Sequence, residues 1–123
     1  MTNIDRGTLS VAELVEEFIA LGIKQHKAVW NGDTKTYSPL FERMQATKVE
    51  LENRPGDQRL ALKPLYEHQN IQVRLMAARS TLALAPIEAR GVIESIAASN
   101  QFPCAGDAGV CLYMLDSGAF VPS

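Results

Sequence analysis

Two histidines, two cysteines and scattered carboxylates carry whatever chemistry this 123-residue chain can perform. His26 is the most pointed of them. The apolar stripe around it is interrupted by Gly22, Gln25 and His26, which leaves a polar notch between Phe18 and Val29–Trp30. A neutral imidazole in such a notch can act as a base or a ligand. A lone histidine with no second reactive group is more commonly a structural residue satisfied by a neighbour. Gly22, Gln25, His26 and Trp30 are therefore a candidate binding notch, with no catalytic role assigned.

The other groups give less. His68 stands beside Glu67, but neither an H-E-x-x-H nor a C-x-x-C pattern occurs, so no metal and no cofactor are expected. Cys104 and Cys111 are seven positions apart. On one helix that is roughly 10 Å, too far for a disulfide. Free thiols imply a reducing compartment, the cytoplasm. A nucleophilic cysteine needs a base beside it, and the spacing supplies none. The glycines are isolated, as caps and stops, with no phosphate-cradling loop.

Arg74 raises a different question. It sits in the first turn of the stretch NIQVRLMAARS, residues 70–80. A cation there opposes the helix dipole by about 0.3–1 kcal/mol, so something must hold it.

The elements that position these residues read as helices. Ser10 and Glu13 form a capping box, and Leu9 and Leu14 a hydrophobic staple. The first helix runs to Trp30, where Asn31-Gly32 is the stop. Ser38-Pro39 reads as the cap and first residue of the second helix, with Asp33 an alternative start one turn earlier. That helix ends at Arg54-Pro55-Gly56. Asp57 caps a short third helix, which Pro64 should kink. Asn70 caps the fourth, and Ala85-Pro86 ends it and starts the fifth. A loop over 99–104 leads to a sixth helix from about Gly106 to Asp116, with Gly118 as its stop. Nothing alternates with period two, so no strand is expected. The chain reads as all-α, with about six antiparallel helices.

The fourth helix has two apolar faces. On a wheel, Val73, Met76, Ala77, Ser80 and Leu84 oppose Ile71, Leu75, Ala78, Leu82 and Ala85. Gln72 with Arg79, and Arg74 with Thr81, form narrow polar stripes between them. A surface helix has one apolar stripe, so this helix is expected at the centre. The wheel also separates Arg74 from Arg79, which weakens a basic-patch reading.

A shift of 33 residues lays Ala77-Ala78 on Val110-Cys111, Leu82 on Leu115 and Arg74 on Asp107. A period in the thirties belongs to helical solenoids. Asn70-Ile71-Gln72-Val73-Arg74, with Ala77-Ala78 and Ala85-Pro86, resembles the second helix of a HEAT repeat. The chain over about residues 10–117 also resembles a small prokaryotic HEAT-like family catalogued only as a domain of unknown function. The resemblance implies one α-α superhelical domain over 1–123, with repeat-like hairpins at about 57–84 and 86–117. It brings no known activity. The Asp that often precedes the arginine is Asn70 here. Because equivalent positions of stacked repeats are spatial neighbours, Asp107 is the expected ion-pair partner of Arg74.

Net charge is −2 and the isoelectric point about 5.6, which gives no general attraction to nucleic acid or anionic membranes. MTNIDRGTLS contains no apolar leader core, and no apolar run approaches the roughly 18 residues of a membrane span. The expected function is a non-catalytic protein-interaction module, an adaptor or an inhibitor of a partner protein. Nucleic-acid binding through Arg59, Lys63, Arg74 and Arg90 and a small-molecule enzyme at His26 are the alternatives. The sixth helix carries apolar residues around much of its circumference. Val110, Leu112, Tyr113, Met114, Phe120 and Val121 are thus the candidate interface for a partner protein or a homodimer.

Overall fold

The computed structural model describes residues 5–123; the reading that the chain starts without an apolar leader lies partly outside them. The described chain is all-α, with no strand among the described residues. Five α-helices appear: α1 (Val11–Trp30), α2 (Thr34–Asn53), α3 (Ile71–Thr81), α4 (Pro86–Ala97) and α5 (Cys104–Ser117). Two 3-10 helices, Arg6–Thr8 and Gln58–Glu67, complete it. The chain divides into two compact units, one ending at Ala61 and one beginning at Leu62.

The first unit is the α1–α2 hairpin. Ser10 caps α1 as its sequence requires: its Oγ accepts the Glu13 N–H at 3.0 Å, and its own N–H donates to Glu13 Oε1 at 2.9 Å. Leu14, Phe18, Leu21 and Ala28 of α1 are buried, as are Leu40, Met44 and Leu51 of α2. Gly32 takes φ +67 in the turn between the helices, a conformation that costs glycine nothing. Asp33, not Ser38, caps α2, accepting the Thr36 N–H at 3.0 Å. Pro39 therefore lies inside the helix, where it forgoes one backbone bond.

Two arginines strap the N-terminal segment to this hairpin. Arg54 Nη2 donates to the carbonyls of Arg6 at 3.0 Å and Leu9 at 2.7 Å. Arg6 Nε donates to Glu17 Oε2 at 2.8 Å and to Thr47 Oγ1 at 3.0 Å, and Thr47 Oγ1 donates to Glu17 at 2.6 Å. Arg59 is buried and grips the Asp57 carboxylate with Nε at 3.0 Å and Nη2 at 2.7 Å.

The expected third α-helix is the 3-10 helix Gln58–Glu67. Pro64 explains the correction: it has no N–H to close an α-type bond and its ring clashes with the carbonyl four residues back. The tighter i→i+3 pattern is the local solution.

In the second unit, α3 is buried at every position except Arg74 and Arg79, which are half-buried. Both apolar faces are covered within the helix, while Leu84, expected on one of them, lies beyond its end and is 38% exposed. One member of each polar stripe is covered too. Gln72 and Thr81 are buried, and each has partners: Cys104 Sγ donates to Gln72 Oε1 at 3.3 Å, and Thr81 Oγ1 donates to the Ala77 carbonyl at 2.9 Å and bonds the Tyr66 hydroxyl. The helix ends at Thr81, earlier than its pattern suggests. Pro86 drives Ala85 out of the α region, to φ −135 and ψ 64. The α4–α5 hairpin follows. Ala89, Ile93 and Ile96 of α4 and Cys104, Ala108 and Cys111 of α5 are buried. α5 starts at Cys104, before the expected Gly106, and Gly118 closes it at φ +80.

Candidate functional site

Two residues of the candidate notch on α1 are buried. Gly22 is buried, and Gln25 is buried with its Nε2 3.5 Å from the Met44 sulfur of α2. Gln25 thus reaches the partner helix and serves the α1–α2 contact. His26 is half-buried beside them, and Trp30 is 71% exposed at the helix end. Of the four residues of the candidate notch, Gly22 and Gln25 are thus inside and Trp30 is at the surface.

Arg74 does not pair with Asp107. Its Nη1 donates to the carbonyl of His68 at 2.8 Å and of Gln69 at 3.2 Å. Among the described residues no ion pair joins the two side chains. The cause is geometric. Helical side chains lean toward the N-terminus, so a first-turn arginine reaches the chain leading into its own helix. Those carbonyls supply the negative potential that offsets the dipole. Asp107, in the first turn of α5, instead feels the charge of Arg79. Partial desolvation raises its carboxyl above the usual range, and Arg79 opposes the rise.

The cysteines are free and buried. Burial pushes the Cys104 thiol up to about 11, with the Asp107 charge adding and the Arg74 charge opposing. Burial also raises Cys111. A thiol held protonated at neutral pH is a poor nucleophile, and Cys104 serves as a donor to Gln72. Among the described residues no group of three His, Cys, Asp or Glu side chains could hold a metal. No described helix is long and apolar enough to cross a membrane.

The four candidate basic residues are all engaged. Arg59 is buried against Asp57, and Lys63 Nζ lies 2.9 Å from Glu88. Arg74 is held by carbonyls, and Arg90 bonds Asp116 at 2.9 Å and Glu94 at 3.0 Å.

The feature that stands out is apolar surface on the second unit. Val110, Tyr113 and Val121 are 61%, 71% and 75% exposed, and Met114 is exposed as well. Leu112 and Phe120 are half-buried. The Phe120 N–H donates to the Met114 carbonyl at 3.1 Å, which ties the tail to the end of α5. Two further exposed apolar residues of this unit escaped the sequence reading. Ile87 is 87% exposed and Phe102 62%. A wheel of α4 would have found Ile87, which stands far from the stripe of Ala89, Ile93 and Ile96. Phe102 precedes α5 in a loop, where no periodicity marks a face. The Arg90–Asp116 pair brings the start of α4 beside the end of α5, so Ile87 lies at the same end of the hairpin as the tail.

Comparison with known proteins gives a family whose function is unknown. No curated protein matches the chain. The crystal structure of the protein RPA1889 from Rhodopseudomonas palustris CGA009 is 42% identical, covers 98% of this chain and 100% of that one, and superposes with a TM-score of 0.93. The family described as "Domain of unknown function (DUF2019)" matches residues 12–116. With that match spanning most of its length, the chain belongs to the DUF2019 family.

Proposed function

We propose that this chain is a HEAT-like helical-repeat module that works by binding another protein, as an adaptor or as an inhibitor of its partner, without catalysis of its own. The supporting observation is the exposed apolar surface of the α4–α5 hairpin, carried by Ile87, Val110, Tyr113 and Val121. Contiguous apolar area beyond a few hundred Å² on a small protein usually marks an interaction site. Paired helices with short connections are the geometry on which helical-repeat proteins display such surfaces. The two free thiols fit a reducing cytoplasm.

Nucleic-acid binding has weaker support, because Arg59, Lys63, Arg74 and Arg90 spend their charge on internal partners. A small-molecule site at His26 has weaker support as well, because Gln25 beside it is buried with its Nε2 3.5 Å from the Met44 sulfur. The test is capture from an extract of the source cells, with the wild-type chain and Ile87→Asp as baits. Ile87 is nearly free of internal contacts, so the variant should fold normally. A specific protein retained by the wild type and lost by the variant is the expected result. Equal retention by both baits, or none by either, would count against the reading.

A further inference from the structure

Charges on the solvent face of α1 are sorted rather than mixed. Along the middle of that face run Glu16, Ala20, Ile23, Lys27 and Trp30, at intervals of four, three, four and three. All five are exposed, Ile23 at 45% and Trp30 at 71%. The opposite side of the helix holds the buried Leu14, Phe18, Leu21, Gln25 and Ala28. Acids occupy the N-terminal half of the exposed face, at Glu13 and Glu16. Cations occupy the C-terminal half, at Lys24 and Lys27.

This sorting does nothing for a single copy. A helix that steadies itself with surface charge places acid and base three or four residues apart. At those spacings Glu16 meets Ala12, Glu13, Ile19 and Ala20, and Lys27 meets Ile23, Lys24, Trp30 and Asn31. Each charge thus has a like charge on its own face and no opposite one. Glu16 and Lys27 stand eleven residues apart, roughly 16 Å along the axis, too far to pair. Among the described residues, Glu16, Lys24 and Lys27 form no ion pair with any other element. Arg6, Arg54, Arg59, Lys63 and Arg90, by contrast, each hold an acid. The helix dipole explains Glu13 in the first turn and Lys27 in the last. It acts only within those turns, so Glu16 and Lys24 are left unexplained.

We infer that α1 pairs with the α1 of a second copy of this chain, antiparallel, across a two-fold axis that passes between Ala20 and Ile23. Turned about that axis, the stripe sets Ile23 of each copy against Ala20 of the other and Lys27 against Glu16. The acidic half of each helix then covers the basic half of the other, and charges unmatched in one copy are matched in two. An isologous interface requires a self-complementary patch. This one is complementary in charge, and in size where isoleucine meets alanine. Intervals of three and four keep the positions in line along a seam between two helices. Trp30 of each copy comes over the first turn of the other, beside Ala12, and loses its exposure to water. Other occupants fit worse. A parallel pair would set Glu16 on Glu16 and Lys27 on Lys27, and a partner of one charge sign would meet its own sign in one half of the face. A single helix seam is smaller than the roughly 800 Å² per partner of a standard interface, and its ion pairs stay near water. The dimer is therefore weak and sensitive to salt.

The test is sedimentation equilibrium of the full chain at low salt, over concentrations on the order of 1–500 µM. The chains are the wild type, Glu16→Lys, Lys27→Glu and the variant carrying both changes. Circular dichroism follows folding, which exposed substitutions should leave intact. The wild type should move toward dimer within that range. Each single reversal sets two like-charge contacts across the axis and should weaken association at least about tenfold. The double variant should associate as the wild type does. So should an equimolar mixture of the two single variants, now as a heterodimer, because every charge of one then meets its opposite in the other. A wild type that stays monomeric at the highest concentration overturns the inference. So do single variants that associate as the wild type does, or a mixture that recovers nothing. The seam belongs to the first unit and the α4–α5 surface to the second. A monomeric chain that still captures a partner through Ile87 removes this dimer and leaves the interaction module standing.

Discussion

The Arg74 guanidinium donates to the main-chain carbonyl of His68 at 2.8 Å, six residues earlier in the chain. It thereby fastens the end of the 3-10 helix to the start of α3. The arrangement places a fixed cation against two carbonyl dipoles, those of His68 and Gln69.

If the carbonyls are what hold Arg74, Asp107 should be energetically indifferent to it. Arg74→Met keeps the stem and removes the donors, and should cost about 1 kcal/mol, the net value of hydrogen bonds from a charged donor less the relieved dipole term. Asp107→Asn combined with it should show a coupling energy below about 0.3 kcal/mol in a double-mutant cycle by urea denaturation. A coupling near 1 kcal/mol or more would restore the ion pair between repeats.

Thr47 is the buried hub of the first unit, joined to Glu17, Arg6 and the Arg43 carbonyl. Thr47→Val has nearly the same shape but leaves the Glu17 carboxylate, only 10% exposed, short of a donor. The expected loss is about 1–3 kcal/mol, recovered largely in Thr47→Ser. If thermal unfolding of the valine variant matches the wild type, the hub has no energetic role.

Cys104 gives a pH dependence of known sign. Its folded-state value of about 11 lies above the ordinary thiol value of 9.0. The folded chain therefore holds the proton more tightly than the unfolded chain. The resulting stability is fully present below pH 9 and declines as pH rises toward 11. Cys104→Ser keeps a donor to Gln72 and does not titrate there. The difference in melting temperature between wild type and variant should be flat at neutral pH and shift against the wild type across that window. A constant difference up to pH 11 would mean that the thiol is not desolvated.

What the sequence discloses follows from how local each signal is. The α1 cap is written in Ser10 and Glu13, three residues apart, and forms as read. The burial of α3 is legible because Ala77 and Ala78 sit on opposite faces of one short helix, and both are fully buried. The exposed residues of α5 are legible for the same reason: too many apolar positions surround one axis. Competition between near-equal local choices is harder to read. Asp33 and Ser38 are both good caps, and the chain takes the earlier one. The repeat register points Arg74 at Asp107, but the side chain's own lean toward the N-terminus gives it the His68 and Gln69 carbonyls. Ile87 is hard to read because it follows the Pro86 start signal and stands off the buried stripe of Ala89, Ile93 and Ile96.

The clasp of Arg54 on the carbonyls of Arg6 and Leu9 has a consequence for synthesis. Leu9 leaves the ribosome first, and its partner follows 45 residues later. Until then the segment from Asp5 to Leu9 has only the Arg6 bonds to Glu17 and Thr47 to fasten it, and the apolar stripe of α1 waits for Leu40, Met44 and Leu51. The first unit thus closes late in its own translation, when one arginine emerges at the far end of α2. A ribosome-stalled chain whose exposed part stops short of Arg54 should be cut by protease within its first ten or so residues, and one exposed past Ala61 should resist.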